Sequence, residues 1–177
     1  MASHNCTDCG IGETSGEGAS SCIACGAGES SNSTGAAECE PCQPGTYKPA
    51  GKGPCIDCLA TTYTDEPGRS ACKLAKPGTY VNNTGSSEST TCSAGTYSST
   101  AASYCKICGI GSYSAEGDSE CKLCDAGYSS NARGASECEL CPAGTYKGAG
   151  AGPCLDCPVA TYADEPGLSE CKLAEAG

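Results

Sequence analysis

Cysteines separated by two residues recur along this chain on a fixed ruler. C-x-x-C pairs begin at Cys6, Cys22, Cys39, Cys55, Cys105, Cys121, Cys138 and Cys154, and half-pairs at Cys72, Cys92 and Cys171 keep the same step of sixteen or seventeen residues. The fullest copy, CEPCQPGTYKPAGKGPCIDC from Cys39 to Cys58, returns as CELCPAGTYKGAGAGPCLDC from Cys138 to Cys157. Self-similarity on this scale belongs to repeat architectures, in which each unit touches mainly its neighbours and no single central core exists. Eleven junctions therefore bound ten loops.

Apolar burial alone cannot order such a chain. It has no Phe or Trp, one Met and nine Tyr, against 25 Gly and 19 Cys in 177 residues. Ordering the backbone costs about 1–2 kcal/mol per residue, and few large side chains are present to offset it. Cysteine at this density marks disulfide-closed modules made in an oxidising compartment.

Other residues keep station within the loops. One Gly stands three residues after the second junction position (Gly12, Gly28, Gly45, Gly78, Gly95, Gly111, Gly127, Gly144), and another four before the next junction (Gly18, Gly35, Gly51, Gly68, Gly85, Gly117, Gly134, Gly150, Gly167). Tyr47, Tyr80, Tyr97, Tyr113 and Tyr146 follow the first glycine, while Tyr63 and Tyr162 hold the offset without it. Glycine at both bends around a Tyr/Thr/Ser run predicts a short two-stranded hairpin per loop. The fold class expected is small and disulfide-rich: an elongated tandem array of β-hairpin modules of 16–17 residues, with little helix and no central hydrophobic core. The Tyr ring, the only sizeable apolar group of a module, is expected to pack on the neighbouring disulfide.

A longer period lies above the short one. Residues 6–78 align without a gap to residues 105–177 at a constant offset of 99, with Asp65-Glu66-Pro67-Gly68 returning as Asp164-Glu165-Pro166-Gly167. Residues 1–104 form a first super-repeat of six modules, including a loop, 75–89, with no cysteine at either end. Residues 105–177 form a second, incomplete one, its modules spanning 105–171 before a tail.

Two pairings close the loops. In the serial scheme the second cysteine of each junction bonds the first of the next: Cys9–Cys22, Cys25–Cys39, Cys42–Cys55, Cys58–Cys72, Cys92–Cys105, Cys108–Cys121, Cys124–Cys138, Cys141–Cys154 and Cys157–Cys171. The two absent cysteines, at Ala75 and Ser89, would then be partners, and Cys6 stays unpaired or bonds another chain. The nested scheme, Cys6–Cys25 around Cys9–Cys22 and so on, also explains the joint loss but strands Cys171 and makes alternate loops chemically different, although the loops look alike. A crossed pattern leaves Cys72 and Cys92 unmatched. Each serial loop is worth nominally about 3 kcal/mol in the chain-entropy model.

The C-x-x-G-T-Y…G…C loops of Cys42–Cys55, Cys92–Cys105 and Cys141–Cys154 resemble the ephrin-receptor-like cysteine-rich repeat, and the one-disulfide module of tumour-necrosis-factor-receptor ectodomains. The resemblance runs from Cys6 to Cys171 and implies an extracellular, non-catalytic ladder of hairpins with serial disulfides. Departures are the missing bond at Ala75/Ser89, Thr14 and Glu29 where a Tyr is expected, and the lack of a kinase, membrane span or death domain.

A net charge of −11 argues against nucleic-acid and anionic-membrane partners. No stretch is apolar enough to span a bilayer, and Met1-Ala2-Ser3-His4 opens no signal-peptide hydrophobic region, so a secreted form would be a mature piece or a fragment. Repeated C-x-x-C also fits thiolate zinc, but the half-junctions at Cys72 and Cys92 would make a two-ligand site. A redox C-x-x-C needs a helix N-terminus that nothing here supplies. Asp-Glu-Pro-Gly reads as a turn before it reads as a calcium ligand set. His4 has no partners for catalysis, no cofactor motif exists, and no enzyme is expected. Asn82, Asn32 and, with Cys in the middle, Asn5 are N-glycan acceptors; Ser86–Thr91 and Ser98–Ser103 are O-glycan candidates.

Together these features point to an extracellular structural protein: a stalk, a spacer, or the subunit of a glycosylated filament or surface coat. It would assemble head-to-tail or continue in a longer chain. A ligand-binding receptor-type ectodomain is the alternative, and a thiolate zinc protein a minor one.

Overall fold

The computed structural model describes residues 8–174; Cys6, Asn5 and His4 lie outside them. Every described element is a two-residue strand, and the twenty strands form ten antiparallel hairpins with no helix among the described residues. Modules 1 to 4 span Cys9–Cys22, Cys25–Cys39, Cys42–Cys55 and Cys58–Cys72. Module 5 spans Ala75–Ser89, and modules 6 to 10 span Cys92–Cys105, Cys108–Cys121, Cys124–Cys138, Cys141–Cys154 and Cys157–Cys171. In each, the first strand follows the opening turn and the second is the pair of residues inside the next junction, as in Thr46–Tyr47 against Ile56–Asp57.

The Gly-Thr-Tyr signature makes the turn. In module 3 the Thr46 N–H donates to the Gln43 carbonyl at 3.0 Å and its hydroxyl donates to the same oxygen at 2.8 Å. Gly45, third in that turn, sits at φ 87°, the type II geometry that glycine adopts without a β-carbon penalty. The same backbone closure occurs in all ten modules, at 3.0–3.2 Å. Modules 4 and 10 put Thr61 (φ 77°) and Ala160 (φ 67°) at this position instead.

Nine disulfides each join the second cysteine of one junction to the first of the next, over a sequence separation of 13 or 14 with Cα atoms 5.5–5.9 Å apart. Module 5 forms its hairpin without one, Thr79–Tyr80 pairing with Thr90–Thr91. The chain divides into two compact units, Met1–Ala75 with Val81–Ser89, and Lys76–Tyr80 with Thr90–Gly177.

Within each unit the modules join through main-chain groups. In the first, the turn residue of one module donates its N–H to a carbonyl of the next: Gly12 to Ser31, Gly28 to Lys48, Gly45 to Thr64 and Thr61 to Val81. In the second the series is Gly78 to Ser98, Gly95 to Ser114, Gly111 to Ser130, Gly127 to Lys147 and Gly144 to Ala163. The turn residue's own carbonyl takes the N–H of the following junction, Cys25 to Gly12 at 2.8 Å, and so in every module, including Ala75 to Thr61 at 2.9 Å.

Contacts also reach past the neighbour, in addition to the neighbour contacts that the repeat pattern predicts to dominate. A β-carbon on Gly28 of module 2 would run into the Gly68 carbonyl of module 4, and one on Gly127 of module 8 into that of Gly167 in module 10. Glycine at these turns is thus required both by φ and by the close passage of a module two steps on.

Candidate functional site

The buried side chains fall into two columns. One is sulfur: Cys9, Cys25, Cys42, Cys58, Cys92, Cys108, Cys124 and Cys141 are all at most 3% exposed, and Ala75 takes the same place in module 5 at 0%. The other is the residue just after the first strand in modules 2 to 10: Ser31, Lys48, Thr64 and Val81 in the first unit, and Ser98, Ser114, Ser130, Lys147 and Ala163 in the second. Their side chains share no polarity; their carbonyls share the role of accepting the preceding turn's N–H.

The hydroxyls in this column satisfy themselves on the module before. Thr64 Oγ1 accepts from Gly45 N–H at 2.8 Å and donates to the Thr46 carbonyl at 3.2 Å. Ser130 repeats this with Gly111 N–H and the Ser112 carbonyl, both at 2.9 Å. Ser98 Oγ donates to the Thr79 carbonyl at 2.8 Å. Ser98, the first residue of the Ser98–Ser103 run, is 1% exposed.

Lys48 and Lys147, 2% and 4% exposed, have no carboxylate partner among the described residues. The Lys48 ammonium donates to the carbonyls of Cys25 (3.4 Å), Gly26 (3.5 Å) and Gly51, and Lys147 to those of Cys124 (3.4 Å), Gly148 (3.4 Å) and Gly150 (2.6 Å). At six other junctions the carbonyl is met by the N–H of the next module's second glycine, as Gly35 to Cys9 and Gly134 to Cys108. Modules 3 and 9 carry Gly-rich stretches, within loops of ordinary length, that send Gly53 and Gly152 to Ile11 and Ile110 instead. The lysine supplies the donor those stretches withdraw. Buried polar groups need such partners, and this role left no mark in the sequence beyond a Lys after Tyr in the two Gly-rich loops.

The Tyr rings do not form the core. Tyr47, Tyr63, Tyr80, Tyr97, Tyr113 and Tyr146 are half-buried, and Tyr128 and Tyr162 are 41% and 44% exposed. Aliphatic side chains on the second strands face solvent, Ile56, Leu74, Ile107, Leu123 and Leu140 among them.

The acidic turns are occupied by cations of the chain itself. Lys73 donates to Asp65 at 2.5 Å, and Lys172 pairs with Asp164 at 2.7 Å. The lysine bond holds each aspartate below its usual pKa, and the Asp164 bond holds Lys172 above its own. Asp118 is lowered first by the Ala115 N–H and then by Lys122. All eighteen cysteines from Cys9 to Cys171 are in disulfides, so none is a thiolate for zinc, and no group of three or more His, Cys, Asp or Glu among the described residues is placed to hold a metal. Asn82 and Asn32 are exposed, the latter donating to Glu40 at 2.7 Å. No described helix is long and apolar enough to cross a membrane.

The family model described as "Tyrosine-protein kinase ephrin type A/B receptor-like" matches residues 28–72 and 111–148. Those segments carry the turn, column and disulfides described above, and they are ephrin-receptor-like cysteine-rich repeats. Modules of this kind are typical of extracellular domains and are not catalytic by themselves. No curated protein matches the chain.

Proposed function

We propose that this is a non-catalytic extracellular structural protein, serving as a stalk, a spacer or the subunit of a glycosylated filament or surface coat. The observation that carries this reading is the bond from each turn N–H to the next module's carbonyl. It recurs in each unit whatever side chain stands in the column, Ser, Thr, Val, Ala or Lys. A chain that repeats one main-chain joint is organised to propagate modules; nothing in it singles out one module for chemistry.

On this reading the six-module super-repeat 1–104 and its incomplete copy 105–177 are the duplicated units. Cys6 finds its partner in a preceding module or another copy, and copies join head-to-tail or the array continues in a longer chain. Asn82 and Asn32 carry N-glycans, Asn5 being the poorest acceptor. Electron microscopy of native material tests the proposal: fibres or a continuous coat agree with it, and short isolated particles saturated by one protein ligand refute it.

The family match favours a second reading, a ligand-binding ectodomain of receptor type. It requires a recognition patch on one or two modules. Alanine replacement of the exposed Ile107, Leu123, Tyr128 and Leu140 would then abolish capture of that ligand while leaving the disulfides intact.

A further inference from the structure

Module 5 breaks the covalent pattern of the chain. In every stapled module the shortest covalent path runs through the disulfide, so the 12 or 13 residues of its loop carry no tension when the ends are pulled. Between Ala75 and Ser89 there is no sulfur, and the backbone itself is the only path.

The restraints on that path are all non-covalent: beside the hairpin and the contacts to module 4, its opening turn and first strand bond module 6 through the Gly78 N–H to Ser98 and the Ser98 hydroxyl to the Thr79 carbonyl. Two residue pairs, Tyr80 with Thr90 and Thr79 with Thr91, close its hairpin. Tension on Ala75 and Cys92 enters at the open end of this hairpin and breaks the pairs one after the other. The tip holds to module 4 through the Thr61 N–H to Val81, the Thr64 N–H to Ser86 and the Gly85 N–H to Cys58. Val81, 3% exposed, is the one branched aliphatic in the column, where the stapled modules carry Ser, Thr, Lys or Ala. Module 5 therefore rests on apolar burial and hydrogen bonds where its neighbours rest on a covalent closure.

We propose that module 5 is a built-in extension element, opening under tension while the nine disulfide-closed modules hold their length. The inference stands on the bonding pattern and does not depend on the stalk reading. Fourteen residue steps at roughly 3.4 Å, less the folded separation of the ends, give an extension of about 40 Å.

Single-molecule stretching of the full oxidised chain, held at its ends, tests this. The expected trace has one release of about 40 Å per molecule. Ala75→Cys/Ser89→Cys, its new bond confirmed by non-reducing peptide mapping, is expected to lose that release. Several releases of this length in the oxidised wild type, or its persistence in the cross-linked variant, would overturn the proposal. Val81→Ala provides a second arm that needs no new bond: the release keeps its length and occurs at lower force. An unchanged force in that variant would count equally against it.

Discussion

Replacing Lys48 by Met keeps the aliphatic stem in the column and deletes the ammonium, which isolates the question of what a buried, acid-free lysine does here. Two effects oppose each other. Burying an ammonium costs several kcal/mol of hydration, which Met does not incur. Against this, the Lys48 ammonium donates to three carbonyls, and charge-assisted bonds contribute about 1.5–3 kcal/mol each when short. Two of these acceptors, on Gly26 and Gly51, belong to exposed residues and can turn to water once the lysine is gone. The third belongs to Cys25, 3% exposed, and has no other donor among the described residues, because Gly53 bonds Ile11 instead. An orphaned buried carbonyl costs about 1–3 kcal/mol, and the lost bonds to Gly26 and Gly51 roughly offset the relief of desolvation. The net expectation is a loss of about 1–3 kcal/mol. Lys147→Met should behave alike, since Cys124 stands as Cys25 does, and the double variant should lose the sum because the two sites lie far apart in sequence and share no partner. Native-state hydrogen exchange with disulfides intact reads the effect locally, at the Gly28 and Cys42 amides. Protection equal to or greater than wild type in Lys48→Met would show that desolvation outweighs the carbonyl contacts and that the donor-replacement argument is wrong.

Other expectations follow from the same geometry. Thr61→Gly removes a branched side chain from a left-handed turn and should stabilise module 4 by up to about 1 kcal/mol after the extra chain entropy of glycine is counted; lower protection of the Ala75 amide would contradict this. Because their folded pKa values are depressed, Asp65 and Asp164 stabilise fully above the ordinary aspartate range, and that contribution is lost as pH falls through the depressed values. Lys172, raised, contributes below the ordinary lysine range and loses its share as pH climbs through the raised value. Asp164→Asn should therefore flatten both arms of the module-10 melting profile; an unchanged acid arm would remove the pair from the account. Asn82 in material from a glycosylating host should run as a glycopeptide that shifts on deglycosylation, and bare Asn82 in every preparation would retire the glycan proposal there.

The hairpins were legible because two requirements fall on the same residues. Type II turns need positive φ at the third position, and Gly with Thr after it announces that turn whatever surrounds it. Cysteine spacing then fixes the loop length. The second column was not legible, since what is common to Ser31, Lys48, Thr64 and Val81 is a carbonyl, and every residue has one. Hydropathy patterns see side chains, so a column mixing a lysine with a valine looks like noise. The Tyr rings, expected to pack on the neighbouring disulfides, lie half outside, beside a core that sulfur and small hydroxyls fill. The reach from one module to the next but one was equally hidden, because glycine needed for a turn and glycine needed for a close passage are the same letter.

A joint made of amide and carbonyl is indifferent to lineage. Copies can be gained or lost by recombination, and their outer residues can drift, without any compensating change across the seam, so long as the bend and its small residue survive. Such a gene can vary in length among close relatives while the pitch from one copy to the next stays constant, and counting copies in natural variants would show whether that freedom has been used.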